Sequence, residues 1–339
     1  MRAALITGVS GQDGSYLAEF LLEKGYTVYG MCRYCSEKKR GRLAHLTQNS
    51  EFHILEGDLT DTARINSVIN SFEQYDLLEV YNLGAQSHVK VSFDQPEYTA
   101  NVDALGTLRI LNAIHQSGFS SRVKFYQAGT SEMYGASKPP QGETTPFYPR
   151  SPYGVAKLYA YWIVKNYRES YGMYACTGIM FNHESERRGE EFVTRKVTLG
   201  LADYLKTGRV LELGNLDSSR DWGHARDYVE AMWMMLQRDY PDDFVVGTGE
   251  THTIREFVEL AAQTAGLALT WSGSGPDEEA RDQNGNLIIR VNPEYYRPAE
   301  VDNLRADPSR ARLILGWTPR ISFPELVKRM MENDLKPSP

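Results

Sequence analysis

The sequence predicts an α/β protein: a doubly wound parallel sheet followed by a smaller, mixed α/β C-terminal lobe. Three observations carry this. Short apolar runs alternate with helical patterns up to about residue 180, the rhythm of strand–helix–strand crossovers. A glycine-rich turn, Gly8-Val9-Ser10-Gly11-Gln12-Asp13-Gly14, joins the first apolar run to the first helical pattern, so the sheet is expected to be Rossmann-like. Beyond residue 181 the rhythm gives way to Gly-, Pro-, Arg- and Asp-rich stretches between short helices. A chain of 339 residues with 41% hydrophobic composition has material for two lobes. The expected division is 1–180 and 181–339, with a segment around 221–250 returning to the first lobe.

Each element has its own signal. Residues 3–8 form a short apolar strand. From Asp13 to Lys24, residues Tyr16, Leu17, Phe20 and Leu21 share one helical face. Strands are expected at 27–32, 52–56 and 78–83, then a long helix over 97–117 and a strand at 123–128. Ser151-Pro152 has the order of an N-cap and a first-turn proline, so a helix is expected over 152–170, with a strand at 174–180 after it. In the second lobe, helices are expected over 194–206 and 254–265, and residues 221–237 as a packed helix entered from a loop.

Composition excludes several classes. Charged residues make up 24% with a net charge of −7, which does not suit a broad nucleic-acid surface. An anionic ligand would need a local basic pocket. There is no signal-peptide layout and no apolar run of transmembrane length, so a cytoplasmic protein with no membrane partner is expected. Cys32, Cys35 and Cys176 make no disulfide framework. Cys32-x-x-Cys35 has no second cysteine pair to complete a zinc site, and no metal is expected.

The glycine turn suits a dinucleotide. Glycines let backbone amides approach a pyrophosphate at the positive end of a helix. Such turns also serve packing alone, but the placement of Gly8, Gly11 and Gly14 after the first strand favours a cofactor. The second strand ends at Arg33 and offers no carboxylate for a ribose 2′-hydroxyl. An arginine there favours a 2′-phosphate, hence NADP. Asp58 and Leu59 after the third strand suit the adenine pocket, although Asp58 equally suits a cap for the next helix.

A reactive constellation follows. Tyr153 and Lys157 are four residues apart, on one helix face. An ammonium near a phenol stabilises phenolate and lowers its pKa from about 10. Such a phenolate takes a hydroxyl proton while hydride leaves for a nicotinamide. Thr130 or Ser131 is placed to hydrogen-bond the reacting sugar oxygen. Glu132 adds a second task, because a carboxylate can remove the acidified C–H beside a new ketone and then help a hydroxyl leave as water.

With these residues in place, the chain resembles the extended short-chain dehydrogenase/reductase family, and within it the GDP-mannose 4,6-dehydratases. The resemblance covers nearly the whole chain. It includes Leu83-Gly84-Ala85-Gln86-Ser87-His88-Val89, Asn182-His183-Glu184-Ser185 and Arg220-Asp221-Trp222-Gly223-His224. The last two runs are the most specific. It implies recycled NADP, GDP-mannose as substrate, and oxidation at C4, loss of water across C5 and C6, and hydride return to C6. Tyr153 would be the base, supported by Lys157, with Glu132 acting at C5 and Thr130 at the sugar hydroxyl. Around the cofactor it places Gly8, Gly11, Gln12, Asp13, Gly14 and Arg33. Asp58, Leu59, Leu83, Ser87, Tyr98, Tyr153, Lys157, His183 and Arg188 complete that set. Around GDP-mannose it places Ser87, Ser131, Glu132, Asn182, Val193, Lys196, Arg220, Arg297 and Glu300. A homodimer or homotetramer is implied.

Two departures stand out. The family has a second arginine after the second strand, where this chain has Tyr34 and then a Lys38-Lys39-Arg40 cluster. The Asn-His-Glu-Ser run is usually followed by proline, and here by Glu186, which implies a looser loop over the substrate. Two rival activities remain on this scaffold: a bifunctional dehydratase/reductase, and another GDP-sugar reductase or epimerase. Glu132 speaks against a plain reductase. A non-catalytic NADP-sensing protein is opposed by the presence of Tyr153, Lys157 and Glu132 together.

Overall fold

The computed structural model describes residues 2–33, 37–296, 301 and 303–336, with the backbone alone at 37–40. Seven parallel strands form the main sheet. Six are β1 (Arg2–Thr7), β2 (Thr27–Cys32), β3 (Phe52–Glu56), β4 (Leu77–Asn82), β5 (Val123–Ala128) and β6 (Tyr174–Met180). The seventh is Phe244–Val246, and the order is Phe244–Val246, β6, β5, β4, β1, β2, β3. Parallel strands covered on both faces read as continuous apolar runs, and residues 3–6 of β1 are all buried. Strand order reverses beside β1, which pairs with β2 on one side and β4 on the other. That reversal opens a crevice at the strand C-terminal ends, the usual ligand site of such sheets.

Two apolar layers cover the sheet. On one face helix α1 (Gln12–Glu23) buries Leu17 and Leu21 with Met232 and Met235 of helix Ala225–Leu236. On the other, Ile69, Ile110, Ile114 and Val164 pack over Val80 and Phe125. The second half of the chain has a separate core, with Val197, Leu201, Phe257, Val258, Leu326 and Met330 from three helices. It also carries a four-stranded sheet in which Leu211–Leu213 and Leu287–Val291 run parallel. Among the described residues no helix is long and apolar enough to cross a membrane.

The expected long helix over 97–117 is interrupted. The chain runs as α-helix over Pro96–Thr99, as a wide π turn over Ala100–Leu105, and as α-helix again over Gly106–Gln116. Side chains take up carbonyls at the wide turn: Thr107 Oγ1 donates to Asp103 O (3.0 Å), and Arg109 donates to Asn101 O (2.9 Å). Apolar periodicity does not report a one-residue insertion of this kind. The helix expected over 221–237 begins at Ala225, after a short strand at Trp222–His224. Helix Pro152–Tyr171 starts as its sequence predicts, with Ser151 Oγ accepting from Gly154 N–H (3.0 Å).

The seventh strand is anchored by charge as well as by the ladder. Arg168 donates to both carboxylate oxygens of Asp243 (3.0 and 2.7 Å), and Asp243 also accepts from Thr177 N–H of β6 (2.8 Å). Removing one partner of a mostly buried pair leaves the other uncompensated. Asp243→Ala is therefore expected to destabilise the protein by roughly 3–5 kcal/mol in denaturant unfolding. A loss below about 1 kcal/mol, the range of exposed pairs, would refute the anchoring role.

Candidate active site

A cleft of about 940 Å³ runs along the C-terminal ends of the strands, lined from both halves of the chain. At one end lies the glycine turn. Gly8 has φ +69°, and a side chain there would lie 2.8 Å from the backbone of Gly84. A Cβ on Gly14 would lie 2.5 Å from Gly8 O. Close packing of β1, α1 and the loop after β4 thus requires glycine, and the same approach bares the backbone to a ligand. Gly11 caps α1 without a side-chain hydrogen bond, leaving the first-turn amides and the helix dipole directed at an anion.

Gln12 and Asp13 wire that helix end to the second half of the chain. His183 Nε2 lies 2.8 Å from Asp13 Oδ2, and Gln12 Nε2 donates to His183 O (3.0 Å). Ser185 Oγ donates to Gln12 Oε1 (2.7 Å). Burial opposes both charges, yet His183 holds the Asp13 carboxyl below its ordinary value, and Asp13 raises that of His183. The strand Asn182–Glu184 pairs in parallel with Trp222–His224. The two most specific sequence runs therefore lie side by side.

Arg33 at the end of β2 donates to Tyr98 OH (2.6 Å). Asp58 accepts from Thr60 N–H and Oγ1, both at 2.8 Å, while Asp61 caps the next helix through Arg64 N–H (2.9 Å). The capping alternative for Asp58 is therefore corrected: Asp58 turns back on its own loop and lines the cleft. Leu59, Leu83 and Ser87 line the same wall. Arg42 does too, donating to Ser10 O (3.2 Å) in the glycine turn. Sequence reading passed over Arg42 because it stands nine residues beyond Arg33, outside any motif.

Deeper in the cleft, Thr130 Oγ1 accepts from Glu132 N–H (3.2 Å) and caps the short turn Ser131–Met133. Ser131, Glu132, Tyr153 and Lys157 are all buried and all line the cleft. Gly154 explains their proximity. A Cβ there would lie 2.7 Å from Glu132 O, so glycine lets helix Pro152–Tyr171 rest on the Glu132 backbone. Lys157 Nζ donates to Ala128 O (3.2 Å) and lies 5.8 Å from the centre of the Tyr153 ring.

The expected lowering of the Tyr153 pKa does not occur here. Burial, followed by the nearby Asp103 charge, pushes the phenol well above its ordinary value. Burial also lowers Lys157, and Asp103 opposes that shift. Asp103, buried in the π turn that packs against helix Pro152–Tyr171, is the second residue that sequence reading missed.

At the far end, Asn182, Val193, Lys196 and Arg220 line the cleft. Lys196 Nζ stands 3.4 Å from the centre of the Tyr295 ring, and burial lowers its pKa. Arg188 pairs with Glu184 (3.0 Å) and stacks on Phe192. Arg297 and Glu300 lie outside the described residues, as do Tyr34, Cys35 and the side chains of Lys38, Lys39 and Arg40. Glu186, where a looser loop was implied, has partners on other elements. Its carboxylate accepts from Tyr16 OH (3.0 Å) and faces His224 Nε2 (3.4 Å). Burial would raise this carboxyl, but the His224 contact brings it down to about 2.

This geometry has close parallels among known proteins. The sequence profile of the GDP-mannose 4,6 dehydratase family matches residues 5–330. A GDP-mannose 4,6-dehydratase of Yersinia enterocolitica is 54% identical, covering 99% of this chain and 94% of its own. The human GDP-mannose 4,6 dehydratase is also 54% identical, covering 98% and 91%. A solved UDP-glucose 4-epimerase of Thermus thermophilus, complexed with NAD, superposes with a TM-score of 0.79 at 25% identity, covering 98% of this chain and 99% of its own. With the profile spanning nearly the whole chain and more than half of the aligned positions shared with such relatives, the protein belongs to the GDP-mannose 4,6-dehydratase family.

Proposed function

We propose that the cleft converts GDP-mannose to GDP-4-keto-6-deoxymannose with NADP as a recycled cofactor. One observation carries this reading: Glu132, Tyr153 and Lys157 are buried together in one cleft, with Gly154 resting on the Glu132 carbonyl. A tyrosine–lysine pair alone serves oxidation or reduction. A carboxylate beside it adds proton transfer at carbon, which a dehydration requires.

The chain's donors fit a dinucleotide. The crowded glycines and open helix amides suit the diphosphate. Arg33 and Arg42 offer guanidinium groups for a 2′-phosphate, and β2 ends without a carboxylate. When bound, NADP would accept hydride from C4 and return it to C6. Tyr153 takes the C4 hydroxyl proton, Lys157 supplies positive charge to the pair, and Thr130 holds the sugar oxygen. With a ketone at C4, Glu132 takes the acidified C5 proton and passes it to the C6 hydroxyl, which leaves as water. The proton taken by Tyr153 balances the one delivered to C5 when hydride returns, so there is no net redox change. Lys196 and Arg220 suit the substrate diphosphate, with Ser87, Ser131, Asn182 and Val193 around the rest of GDP-mannose.

Helix Pro152–Tyr171 presents Val155, Tyr159 and Trp162 to solvent, with Trp162 53% exposed. We assign this apolar stripe to a second copy of the chain, in a homodimer or a tetramer built from it. Buried cysteines at positions 32 and 176 suit a reducing, cytoplasmic setting.

Incubated with GDP-mannose and trace NADP, the protein should release a product lighter by one water in mass spectrometry. Glu132→Gln should slow that loss by about 10²–10⁴-fold while retaining NADP binding. An unchanged product mass with the native protein would sink the dehydration reading. In direct binding, NADPH should be held more tightly than NADH, and Arg33→Ala should narrow the gap. Equal affinities in the native protein would reverse the cofactor assignment. Trp162→Glu should sediment as a monomer, and an unchanged oligomer would place the interface elsewhere.

A further inference from the structure

Glu186 follows the strand Asn182–Glu184 and reaches two other elements. Its Oε2 accepts from Tyr16 OH of α1 (3.0 Å) and lies 3.4 Å from His224 Nε2, at the end of the strand Trp222–His224. Tyr16 is buried, and so is His224. His224 Nδ1 accepts from Arg226 N–H (3.1 Å), so the neutral ring carries its proton on Nε2, toward Glu186. At 3.4 Å that contact falls short of a hydrogen bond and acts as electrostatic attraction. The Tyr16 bond is the formed one, and a charged acceptor makes it stronger than a neutral pair.

The residues on either side of Glu186 are fastened to the same helix. His183 meets Asp13 (2.8 Å) and Ser185 donates to Gln12 (2.7 Å). Arg187 donates to Ser15 Oγ (3.0 Å), pairs with Glu19 (2.6 Å) and lies over the Tyr16 ring (4.0 Å). Each of these joins the segment to α1. Glu186 bridges α1 and the strand Trp222–His224 at once, and Arg195 of helix Val193–Thr207 donates to its carbonyl. Gln12 and Asp13 line the cleft from α1, while His183, Glu184 and Arg188 line it from the segment. A dinucleotide at the glycine turn is bordered by both, and a tie between them restricts the parting that would let it go.

We propose that Glu186 is a positioning residue for the dinucleotide: by tying α1 to the strand Trp222–His224 it holds the segment His183–Arg188 against the glycine-turn end of the cleft and slows cofactor release. This rests on NADP occupying that end, as the proposed function has it. The carboxylate acts through Tyr16 and through its own backbone, and needs no contact with cofactor or substrate.

The test is the lifetime of bound NADPH. Native protein loaded with NADPH is mixed with excess NADP, and the decay of NADPH fluorescence gives the release rate. Glu186→Ala should release NADPH roughly tenfold faster, the worth of one hydrogen bond to a charged group. Tyr16→Phe, which removes the phenol oxygen and keeps the ring beneath Arg187, should do nearly the same. The double variant should be little faster than either single, because both remove one shared contact. Glu186→Gln, whose amide oxygen still accepts from Tyr16, should recover most of the native lifetime.

Native release from Tyr16→Phe or from Glu186→Ala overturns the proposal, even where the thermal midpoint falls, since that is what a purely structural role would give. A double variant in which the two effects multiply in full also overturns it. Should Glu186→Ala not fold, the deletion of one oxygen in Tyr16→Phe decides alone. A native protein that holds no NADPH overturns the parent reading instead.

Discussion

Everything at the mouth of this sheet depends on backbone meeting backbone. Gly8, Gly14 and Gly84 crowd so closely that a methyl group on Gly8 or Gly14 would collide with neighbouring main chain. That crowding sits where the strand order reverses, between β1 and β4. It brings the start of α1 into the crevice and leaves its first-turn amides facing outward. A second such contact, Gly154 on Glu132 O, sets the reactive end. Two places where a side chain cannot fit thus determine where the dinucleotide end and the proton-transfer end lie.

Burial then decides the electrostatics. Tyr153, Lys157, Glu132 and Asp103 all lie below about a tenth of their free exposure. Desolvation favours neutral phenol and neutral amine, so the pair is not pre-activated by proximity alone. Any activation must come from charge brought to or held at the site. The protein holds a negative charge in Asp103, which favours the Lys157 ammonium but opposes the Tyr153 phenolate, and at the other end of the cleft it holds Asp13 against His183. Both are charges retained where water is scarce, which makes each of them worth more per ångström than at a surface.

What could be read from sequence was what is local. The glycine turn, the Ser151-Pro152 helix start, the four-residue spacing of Tyr153 and Lys157, and Arg33 at the end of β2 each lie within a few residues of their own context. The rhythm of the first six strands was legible for the same reason, while the seventh, Phe244–Val246, arrives from the second half of the chain and was not read as a strand. What could not be read is long-range or depends on a single dihedral choice. His183 finds Asp13 across 170 residues. Asp103 is buried where a helix widens by a turn that periodicity does not record. Asp58 and Asp61 both precede one helix, and only the loop geometry at Thr60 decides which becomes the cap. Glu186 meets Tyr16 and His224, contacts that lie far from it in sequence.

The ribbon made by Asn182–Glu184 and Trp222–His224 is only three residues wide. Neighbouring residues on a strand point to opposite sides. His183 turns toward α1 and the dinucleotide end, while under the proposed assignment Asn182 turns toward the sugar nucleotide. One short strand is therefore shared by both occupants of the cleft. Whatever ordering one ligand imposes on it need not be repeated for the other. Linkage makes that saving mutual: the factor by which cofactor tightens sugar-nucleotide binding equals the factor by which sugar nucleotide tightens cofactor binding. A cofactor that stays through many turnovers would then be retained most firmly while substrate is present.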